Sequence, residues 1–257
     1  MPAKKRFILL AAAATLLLAV AGVLAVGIGL LTGHDTGPAG AVGLTVYNFD
    51  QTDSSHAGYR RTVMTSGGSP VYVNDYEESA LQPANPDPTQ VIARKGNFGT
   101  SNVCALPGQP ATAYVAADDG SEMPAYVVYR HISHPPFDWR TATFREMTLY
   151  APREKNNGLK TADPALLAEV VALLRDAPPA SVDLPAVSTT DAASISSIKM
   201  ASDQLPGILF CPILRTSPDG ALYIAESLMW DLKSSKPQFH ARWIPASPKL
   251  TQWLQSR

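Results

Sequence analysis

The sequence predicts an α+β protein, in which an N-terminal transmembrane helix precedes a mainly antiparallel β domain with one central amphipathic helix and a short C-terminal helix. Three observations lead to this fold class. A long uncharged apolar run follows the basic N-terminus, seven or eight later segments have the composition of strands, and two segments have the start signals and apolar spacing of helices. The strand-like segments occur in runs and do not alternate with helices, which favours antiparallel sheets.

The N-terminal apolar segment has the length of a membrane span. It is preceded by Lys4, Lys5 and Arg6 and carries no charge. A helix of about 25 residues is about 37 Å long, which exceeds the roughly 30 Å hydrocarbon core of a bilayer. We therefore predict a signal anchor at residues 7–32 and a basic cytoplasmic tail at residues 1–6, since basic residues favour the cytoplasmic side. The expected location is the cell membrane, single-pass, with the C-terminal domain outside.

The same N-terminus also has the features of a cleaved secretory signal, because Ala19 and Ala21 follow a shorter apolar stretch. Secretion after cleavage is the alternative location. In either case, the Gly-rich residues 33–42 predict a flexible stalk and residues 43–257 an extracytoplasmic α+β domain. A Pro-rich, low-complexity connection predicts a boundary between two subdomains near residues 178–193.

The charge balance argues against a nucleic-acid partner. The chain of 257 residues has 21 Lys and Arg against 22 Asp and Glu, and three of the basic residues lie before position 34. The remainder is mildly acidic, and it has no basic block that would bind phosphates. The expected partners are the lipid bilayer, through residues 7–32, and another envelope or membrane protein.

The predicted strands follow from alternation and from turn residues. Gly67 and Gly68 separate two strand-like arms, and Asp119 and Gly120 separate two more. The predicted β elements are a strand at 42–50, a hairpin at 61–76, a hairpin at 111–132, a strand at 141–151, and a meander over 207–244 with a turn at 217–220.

Two segments predict helices. Asp163 is a favourable N-cap, Pro164 a favourable first residue, and an apolar face extends from there towards Pro178. Near the C-terminus, Ser247 and Pro248 repeat the same start signal. The first helix is amphipathic and is expected to cover a sheet.

The two cysteines, Cys104 and Cys211, lie about a hundred residues apart in apolar or strand-like runs. In an exported domain such a pair predicts one disulfide bond. The alternative is a pair of buried free thiols.

A few residues have the types needed for catalysis. Ser196 precedes Lys199 by three positions, the spacing of a Ser/Lys nucleophile pair on a helix. Cys211, with Arg215 or Arg242 and the upstream His131, has the residue types of a Cys/His/Arg transpeptidase. These residues define the alternative function, a membrane-anchored extracytoplasmic hydrolase or transpeptidase that uses Cys211 or Ser196.

The main interpretation assigns no catalytic residue, no metal and no cofactor. His131 and His134 are three residues apart, but on a strand this spacing places them on opposite faces, and no further ligands accompany them.

One loop that the sequence predicts to be exposed is the candidate partner contact. In the stretch from Pro135 to Arg140, two prolines force a loop that carries Phe137, Trp139 and Arg140. Aromatic side chains beside an arginine are typical of residues that anchor a protein partner. The alternative is that the loop folds back and fills the core. The function expected from the sequence is a non-catalytic binding or envelope-interaction module.

Overall fold

The computed structural model describes residues 44–54, 60–85, 88–96, 102–118, 126–150, 158–176, 187–188, 195–231 and 238–256. This part of the chain contains eighteen strands, two α-helices and one 3₁₀ turn. The strands are β1 (Thr45–Asp53), β2 (Arg60–Ser66), β3 (Ser69–Asn74), β4 (Leu81–Pro83), β5 (Val91–Lys95), β6 (Asn102–Ala105), β7 (Tyr114–Asp118), β8 (Tyr126–His131), β9 (Glu146–Tyr150), β10 (Lys160–Thr161), β11 (Val187–Ser188), β12 (Ser196–Ala201), β13 (Ile208–Phe210), β14 (Ile213–Thr216), β15 (Leu222–Ala225), β16 (Met229–Asp231), β17 (Gln238–His240) and β18 (Ile244–Pro245). The helices are α1 (Pro164–Asp176) and α2 (Pro248–Gln255), and the 3₁₀ turn is Tyr76–Glu78.

Seven strands form a closed barrel in the order β1-β2-β3-β8-β7-β6-β5. Neighbouring strands are antiparallel, except that β1 closes the barrel by pairing parallel to β5. Because side chains alternate between the two faces of a strand, every second residue points inward. The buried residues that form this core are Phe49, Met64, Tyr72, Ala93, Val103, Val115, Ala117 and Tyr129.

A second sheet follows the barrel in the chain and has the strand order β10-β9-β12-β14-β15-β18. Strand β13 pairs with β12 and with β4, and a separate three-stranded sheet contains β11, β17 and β16. Strand β4 lies between two barrel strands in the sequence but belongs to the second sheet. The chain therefore leaves the barrel after β3, adds one strand to the second sheet, and returns to the barrel at β5.

The largest core lies between the barrel and the second sheet. Outward-facing barrel residues such as Tyr114 and Val128 share this core with residues of the second sheet such as Met147 and Ile198. Helix α1 contributes its predicted apolar face, on which Leu166, Leu167, Val170, Val171 and Leu174 are buried. The two parts thus bury apolar surface against each other.

Glycines allow two tight structures that the fold needs. Gly67 and Gly68 have φ of 58° and 81° in the turn between β2 and β3, as a two-residue hairpin turn with positive φ at both positions requires. Gly207 has φ of 76°, and a Cβ atom at this position would lie 2.0 Å from the carbonyl oxygen of Pro107. A barrel turn and the second sheet therefore meet at a point where no side chain fits.

Several local elements confirm the sequence predictions. The hairpin at 61–76, the amphipathic helix at Pro164–Asp176 and the C-terminal helix at Pro248–Gln255 are present. Ser247 caps α2, since its hydroxyl accepts a hydrogen bond from the Leu250 amide. Strands β7 and β8 pair as predicted, although their turn at Asp119 and Gly120 lies outside the described residues.

The predicted fold class is wrong. Where the structure describes the chain, it is mainly β with a closed seven-stranded barrel, whereas the sequence predicted an α+β protein. Strand patterns indicate which segments are extended, but they do not show that β1 and β5 meet and close the sheet. The predicted subdomain boundary near 178–193 lies mostly outside the described residues and stays a prediction.

The predicted transmembrane helix also requires correction. Residues 7–32 lie outside the described residues, and so do Lys4, Lys5, Arg6 and the stalk at 33–42. Among the residues that the structure does describe, no helix is long and apolar enough to cross a membrane. The longest, α1, has 13 residues, and its length of about 20 Å is less than a bilayer core. This finding counts against the predicted single-pass membrane protein and against the outer location deduced from it.

The predicted disulfide is not formed. Cys104 and Cys211 are both free and buried. They belong to different layers of the fold, because Cys104 lies on barrel strand β6 and Cys211 follows β13 of the second sheet. The Cys104 sulfur lies 3.9 Å from the Tyr126 hydroxyl, and the Cys211 sulfur lies 3.7 Å from the carbonyl oxygen of Leu209. The alternative, two buried thiols, is the arrangement observed.

Candidate functional site

A groove crosses the outer face of four barrel strands, and we call it the barrel groove. Strand pairing places Asp50 opposite Val63, Val63 opposite Val73, and Val73 opposite Arg130. These four side chains form one row across β1, β2, β3 and β8, and neighbouring strands are about 4.8 Å apart, so the row is about 14 Å long. The two valines are buried and form an apolar floor between two charged ends.

The barrel groove has a volume of about 330 Å³. It is lined by Asp50, Thr52, Arg61, Val63, Thr65, Pro70, Val73, Asp75, Arg130 and Ile132. Several polar groups on its rim are held in place: Arg61 Nε donates a hydrogen bond of 2.7 Å to Thr52 Oγ1, and the Thr65 hydroxyl lies 3.3 Å from Asp50 Oδ2. Ile132 is half exposed at one end. The groove thus combines a fixed apolar floor with a polar rim.

The N-cap residue of the 3₁₀ turn, Asp75, lines one side of the groove. Asp75 caps this turn by accepting a hydrogen bond from the Tyr76 amide, and the Asp75 amide donates to Glu78 Oε2 at 3.0 Å. Glu78 is fully buried, and Arg130 Nε donates to its other oxygen at 2.6 Å. Burial raises the pKa of Glu78, and the hydrogen bonds from Arg130 and the Asp75 amide oppose that shift. The charge of Arg130 is therefore matched by a buried carboxylate behind the groove.

A second concave surface is lined by the first residue of the same turn, Tyr76, and we call it the Glu226 cleft. Its volume is about 120 Å³. Five separate segments of the chain line it, with the residues Tyr76, Arg140, Leu174, Glu226, Ser227, Arg242 and Ile244. Asp75 lines the barrel groove and its neighbour Tyr76 lines the cleft, so one step of the backbone separates the two surfaces.

Glu226 is the centre of the polar contacts in this cleft. The indole nitrogen of Trp139 donates a hydrogen bond of 2.7 Å to Glu226 Oε1. The Tyr76 hydroxyl lies 3.4 Å from Glu226 Oε2, and Arg140 Nη2 lies 3.6 Å from the same oxygen. Burial raises the pKa of Tyr76 to about 12, and the charge of Glu226 adds to this shift. Tyr76 is therefore a neutral hydrogen-bond donor at physiological pH.

The predicted contact loop divides between core and surface. Trp139 is 2% exposed and stacks on Phe210 at 5.0 Å between ring centroids. Phe137 is partly buried against the same core. Arg140 remains exposed, and its guanidinium lies 4.5 Å above the Trp139 ring. Trp139 therefore fills the core, as in the alternative considered for this loop. Of the three predicted contact residues, only Arg140 is exposed.

Ser196 and Lys199 do not form a nucleophile pair. Both lie on strand β12, where residues three apart point to opposite faces. The Lys199 amine lies instead 4.3 Å above the ring of Tyr150. The spacing would bring the two groups together only on a helix.

The environment of Cys211 does not favour a reactive thiol. The side chain is buried, and this burial raises the pKa of the Cys211 thiol to about 12. A nucleophilic cysteine requires the opposite shift, because the thiolate is the reactive species. The thiol is protonated near neutral pH.

The two histidines have separate aromatic neighbours. The ring of His131 contacts Tyr72 edge to face at 5.3 Å, and the ring of His134 contacts Tyr114 at 5.2 Å. In the described ranges no group of three or more His, Cys, Asp or Glu side chains is arranged to hold a metal ion.

Sequence reasoning missed every residue that lines the barrel groove and, in the Glu226 cleft, every lining residue except Arg140. Asp50, Val63 and Val73 look like ordinary members of alternating strands, and their row depends on registers between four strands. Glu226 follows strand β15 as an isolated acidic residue. The one usable signal for the cleft was the aromatic and basic composition near Trp139 and Arg140.

Comparisons with known proteins found no match to this chain among protein-family models, curated proteins or solved structures. The geometry of the barrel groove is therefore the basis for the functional proposals.

Proposed function

We propose that this protein is a non-catalytic binding module, and that the barrel groove binds a small organic molecule with an apolar body and a basic group. The observation that carries the proposal is the row of Asp50, Val63, Val73 and Arg130 across four strands. A pocket for a small molecule is expected to be concave and apolar, with a few polar groups at fixed positions.

The size and the floor of the groove support an apolar body. The volume of about 330 Å³ falls in the lower part of the range of about 300 to 1,000 Å³ that ligand pockets occupy. Val63 and Val73 present their side chains to the groove from rigid, hydrogen-bonded strands. The binding surface is therefore already formed, and the protein would lose little conformational entropy when a ligand binds.

The charges on the rim support a basic group. Asp50 and Asp75 supply two carboxylates to the lining. Arg61 supplies one positive charge, and among the described residues it forms no ion pair with a carboxylate; its Nε donates to Thr52. The charge of Arg130 is matched by Glu78. Asp50 is exposed at the end of the row. An amine placed beside Asp50 would gain a charge-assisted hydrogen bond.

The alternative enzymatic function receives less support from the geometry. Ser196 and Lys199 lie on opposite faces of a strand, and burial raises the pKa of Cys211 to about 12. Neither arrangement activates a nucleophile.

The test is a titration of the isotope-labelled protein with benzylamine, monitored by the backbone amide signals of β1, β2, β3 and β8. We expect signals along the row to shift, and benzyl alcohol, the neutral analogue, to bind more weakly. Val73→Phe would fill the groove and is expected to weaken benzylamine binding by about tenfold or more. Asp50→Asn should weaken it about threefold, which corresponds to an exposed ion pair.

The matched control is Asp53→Asn, which removes an exposed carboxylate from the same strand but outside the groove lining. This variant should bind benzylamine like the wild type. Equal loss in Asp50→Asn and Asp53→Asn would show a general charge effect and would contradict the proposal, as would the absence of shifts in the groove. Because Asp50 is exposed, its substitution is expected to leave the fold intact.

A further inference from the structure

Asp75 is a buried carboxylate that lines the barrel groove and has no cationic partner among the described residues. It is 7% exposed, and its Oδ1 accepts hydrogen bonds from the Ser54 hydroxyl and, at 2.8 Å, from the Tyr76 amide. Neither donor carries a charge. The next buried carboxylate, Glu78, is paired with Arg130 at 2.6 Å. Buried charges in proteins are normally paired, so we expect Asp75 to attract a cation from the groove.

Arg61 lies opposite Asp75 but does not pair with it. Thr62 is paired with Asn74, so the antiparallel register places Arg61 and Asp75 opposite each other, and both line the groove. Directly opposite residues have Cβ atoms about 5 Å apart. Arg61 Nε donates instead to Thr52 Oγ1 on the neighbouring strand, at 2.7 Å. A zwitterionic group between the two side chains would bind both, with its ammonium at Asp75 and its carboxylate at Arg61.

Asp50 supplies a second carboxylate at a distance from Asp75. It is opposite Val63, which is opposite Val73, so Asp50 and Asp75 are two strands and two residues apart. Strand spacings of about 4.8 Å and a rise of about 3.4 Å per residue place their Cα atoms about 12 Å apart. If both side chains stand upright on the sheet, hydrogen bonds of about 2.8 Å at each end leave about 6 Å between two ligand nitrogen atoms. The two amines of an extended lysine molecule are separated by a similar distance.

The unmatched charges of the groove amount to one negative charge. Asp50 and Asp75 are negative and Arg61 is positive, whereas the charge of Arg130 is matched by Glu78. Lysine as a free amino acid carries two ammonium groups and one carboxylate at neutral pH. Its net charge is therefore opposite to that of the groove, and each of its charged groups has one counterpart in the lining.

The floor and the size of the groove fit the methylene chain of such a molecule. Val63 and Val73 are buried and lie between the two carboxylates, where they offer an apolar surface to methylene groups. The groove volume of about 330 Å³ corresponds to about eleven water molecules at about 30 Å³ each. Lysine has about ten non-hydrogen atoms, so the whole molecule is accommodated.

We propose that the ligand of the barrel groove is a free linear diamino acid of the lysine type. Asp75 binds its α-ammonium, Arg61 its α-carboxylate and Asp50 its side-chain ammonium. This inference rests on the function proposed above, because it names the chemical class of the molecule with an apolar body and a basic group.

The experiment compares molecules that each lack one of the three charged groups. The isotope-labelled protein is titrated at constant ionic strength, and the backbone amide signals of β1, β2 and β3 are followed. Norleucine lacks the side-chain ammonium, and cadaverine lacks the carboxylate. We expect lysine to produce saturable shifts and to bind about threefold more tightly than norleucine and about fivefold more tightly than cadaverine.

Variants assign each group of the ligand to a residue. Asp50→Asn is expected to weaken lysine and cadaverine about threefold and to leave norleucine unchanged. Arg61→Gln should weaken lysine and norleucine about fivefold and should not weaken cadaverine. Asp75→Asn should weaken all three about tenfold or more, because the lost charge is buried. Asparagine is an equally good N-cap, so the turn is expected to persist in this variant, and thermal unfolding checks that it does.

Two matched controls test for a general effect of charge. Asp53→Asn removes an exposed carboxylate from β1 outside the groove lining, and Arg145→Gln removes an exposed arginine that pairs with Asp203. Both should bind lysine like the wild type. The proposal is wrong if norleucine or cadaverine binds as tightly as lysine, if Arg61→Gln weakens cadaverine as much as lysine, or if a control loses as much affinity as its groove counterpart.

The result for benzylamine separates this inference from the proposed function. If benzylamine shifts the groove signals and lysine does not, the groove binds amines but not diamino acids, and only this inference fails. If neither molecule shifts them, the proposed function fails as well.

Discussion

The barrel groove and the Glu226 cleft are lined by neighbouring residues at one 3₁₀ turn, Asp75 and Tyr76, but they are built in different ways. Hydrogen-bonded strands set the shape of the groove, and its lining side chains can change without moving the backbone. The cleft is lined by parts of the 3₁₀ turn, helix α1, strand β18 and two loop segments, and its shape depends on the contacts of Trp139 with Phe210 and Glu226. Substitutions in the groove should therefore alter binding more than stability, whereas substitutions at the base of the cleft should alter stability.

The largest effect is expected for Trp139→Ala. The substitution removes a buried ring that stacks on Phe210, and it leaves Glu226 without its closest donor. We expect a loss of about 4 kcal/mol in the free energy of unfolding, as for other buried aromatic residues. Chemical denaturation measures this loss. Phe137→Ala is the control from the same loop and should cost less, because Phe137 is only partly buried. A stable Trp139→Ala protein would show that the cleft does not depend on this anchor.

A smaller loss is expected for Glu78→Gln, which changes the buried carboxylate that completes the cap of the 3₁₀ turn. The variant removes the negative charge that Arg130 contacts at 2.6 Å in a buried position. Because the uncompensated arginine stays in the interior, we expect a loss of about 3 kcal/mol, measured by urea denaturation. The neighbouring Glu77→Gln, at a partly exposed residue, should lose much less. Equal losses in the two variants would show that the buried ion pair does not hold the turn.

The smallest effect is expected for alkylation of the native thiols. Burial raises the pKa of Cys104 and raises that of Cys211 to about 12, so both remain protonated at neutral pH. We expect iodoacetamide to modify neither cysteine in the folded protein and both after denaturation, as measured by intact mass. Rapid modification of native Cys211 would contradict this prediction and would support the enzymatic alternative over the proposed binding module.

The same pKa shift predicts how stability depends on pH. A thiol whose pKa is about 12 in the folded protein and about 9 in the unfolded chain ionises first in the unfolded chain. Stability is therefore unaffected by Cys211 below pH 9 and decreases as the pH rises from 9 towards 12. Cys211→Ala should show a weaker alkaline decrease than the wild type in thermal unfolding.

Local features of the fold could be predicted from the sequence, and non-local features could not. The turn at Gly67 and Gly68, helix α1 and the cap at Ser247 follow from residues that are neighbours in the chain. Closure of the barrel depends on parallel pairing between β1 and β5, for which no short motif exists. The same applies to the candidate sites, because Trp139 and Glu226 meet only after the second sheet has formed.

The exchange of strand β4 between the two parts of the fold has a consequence for how the chain folds. Leu81 pairs with Phe210, more than a hundred residues later, yet the strands before and after β4 in the sequence, β3 and β5, both belong to the barrel. During synthesis, β4 and the barrel strands leave the ribosome before β13 is made, so β4 has no partner strand until then. Such long-range pairing raises the contact order and slows folding. The barrel and the second sheet are therefore expected to complete folding in one late, cooperative step, and an N-terminal fragment would expose the unpaired edge of β4.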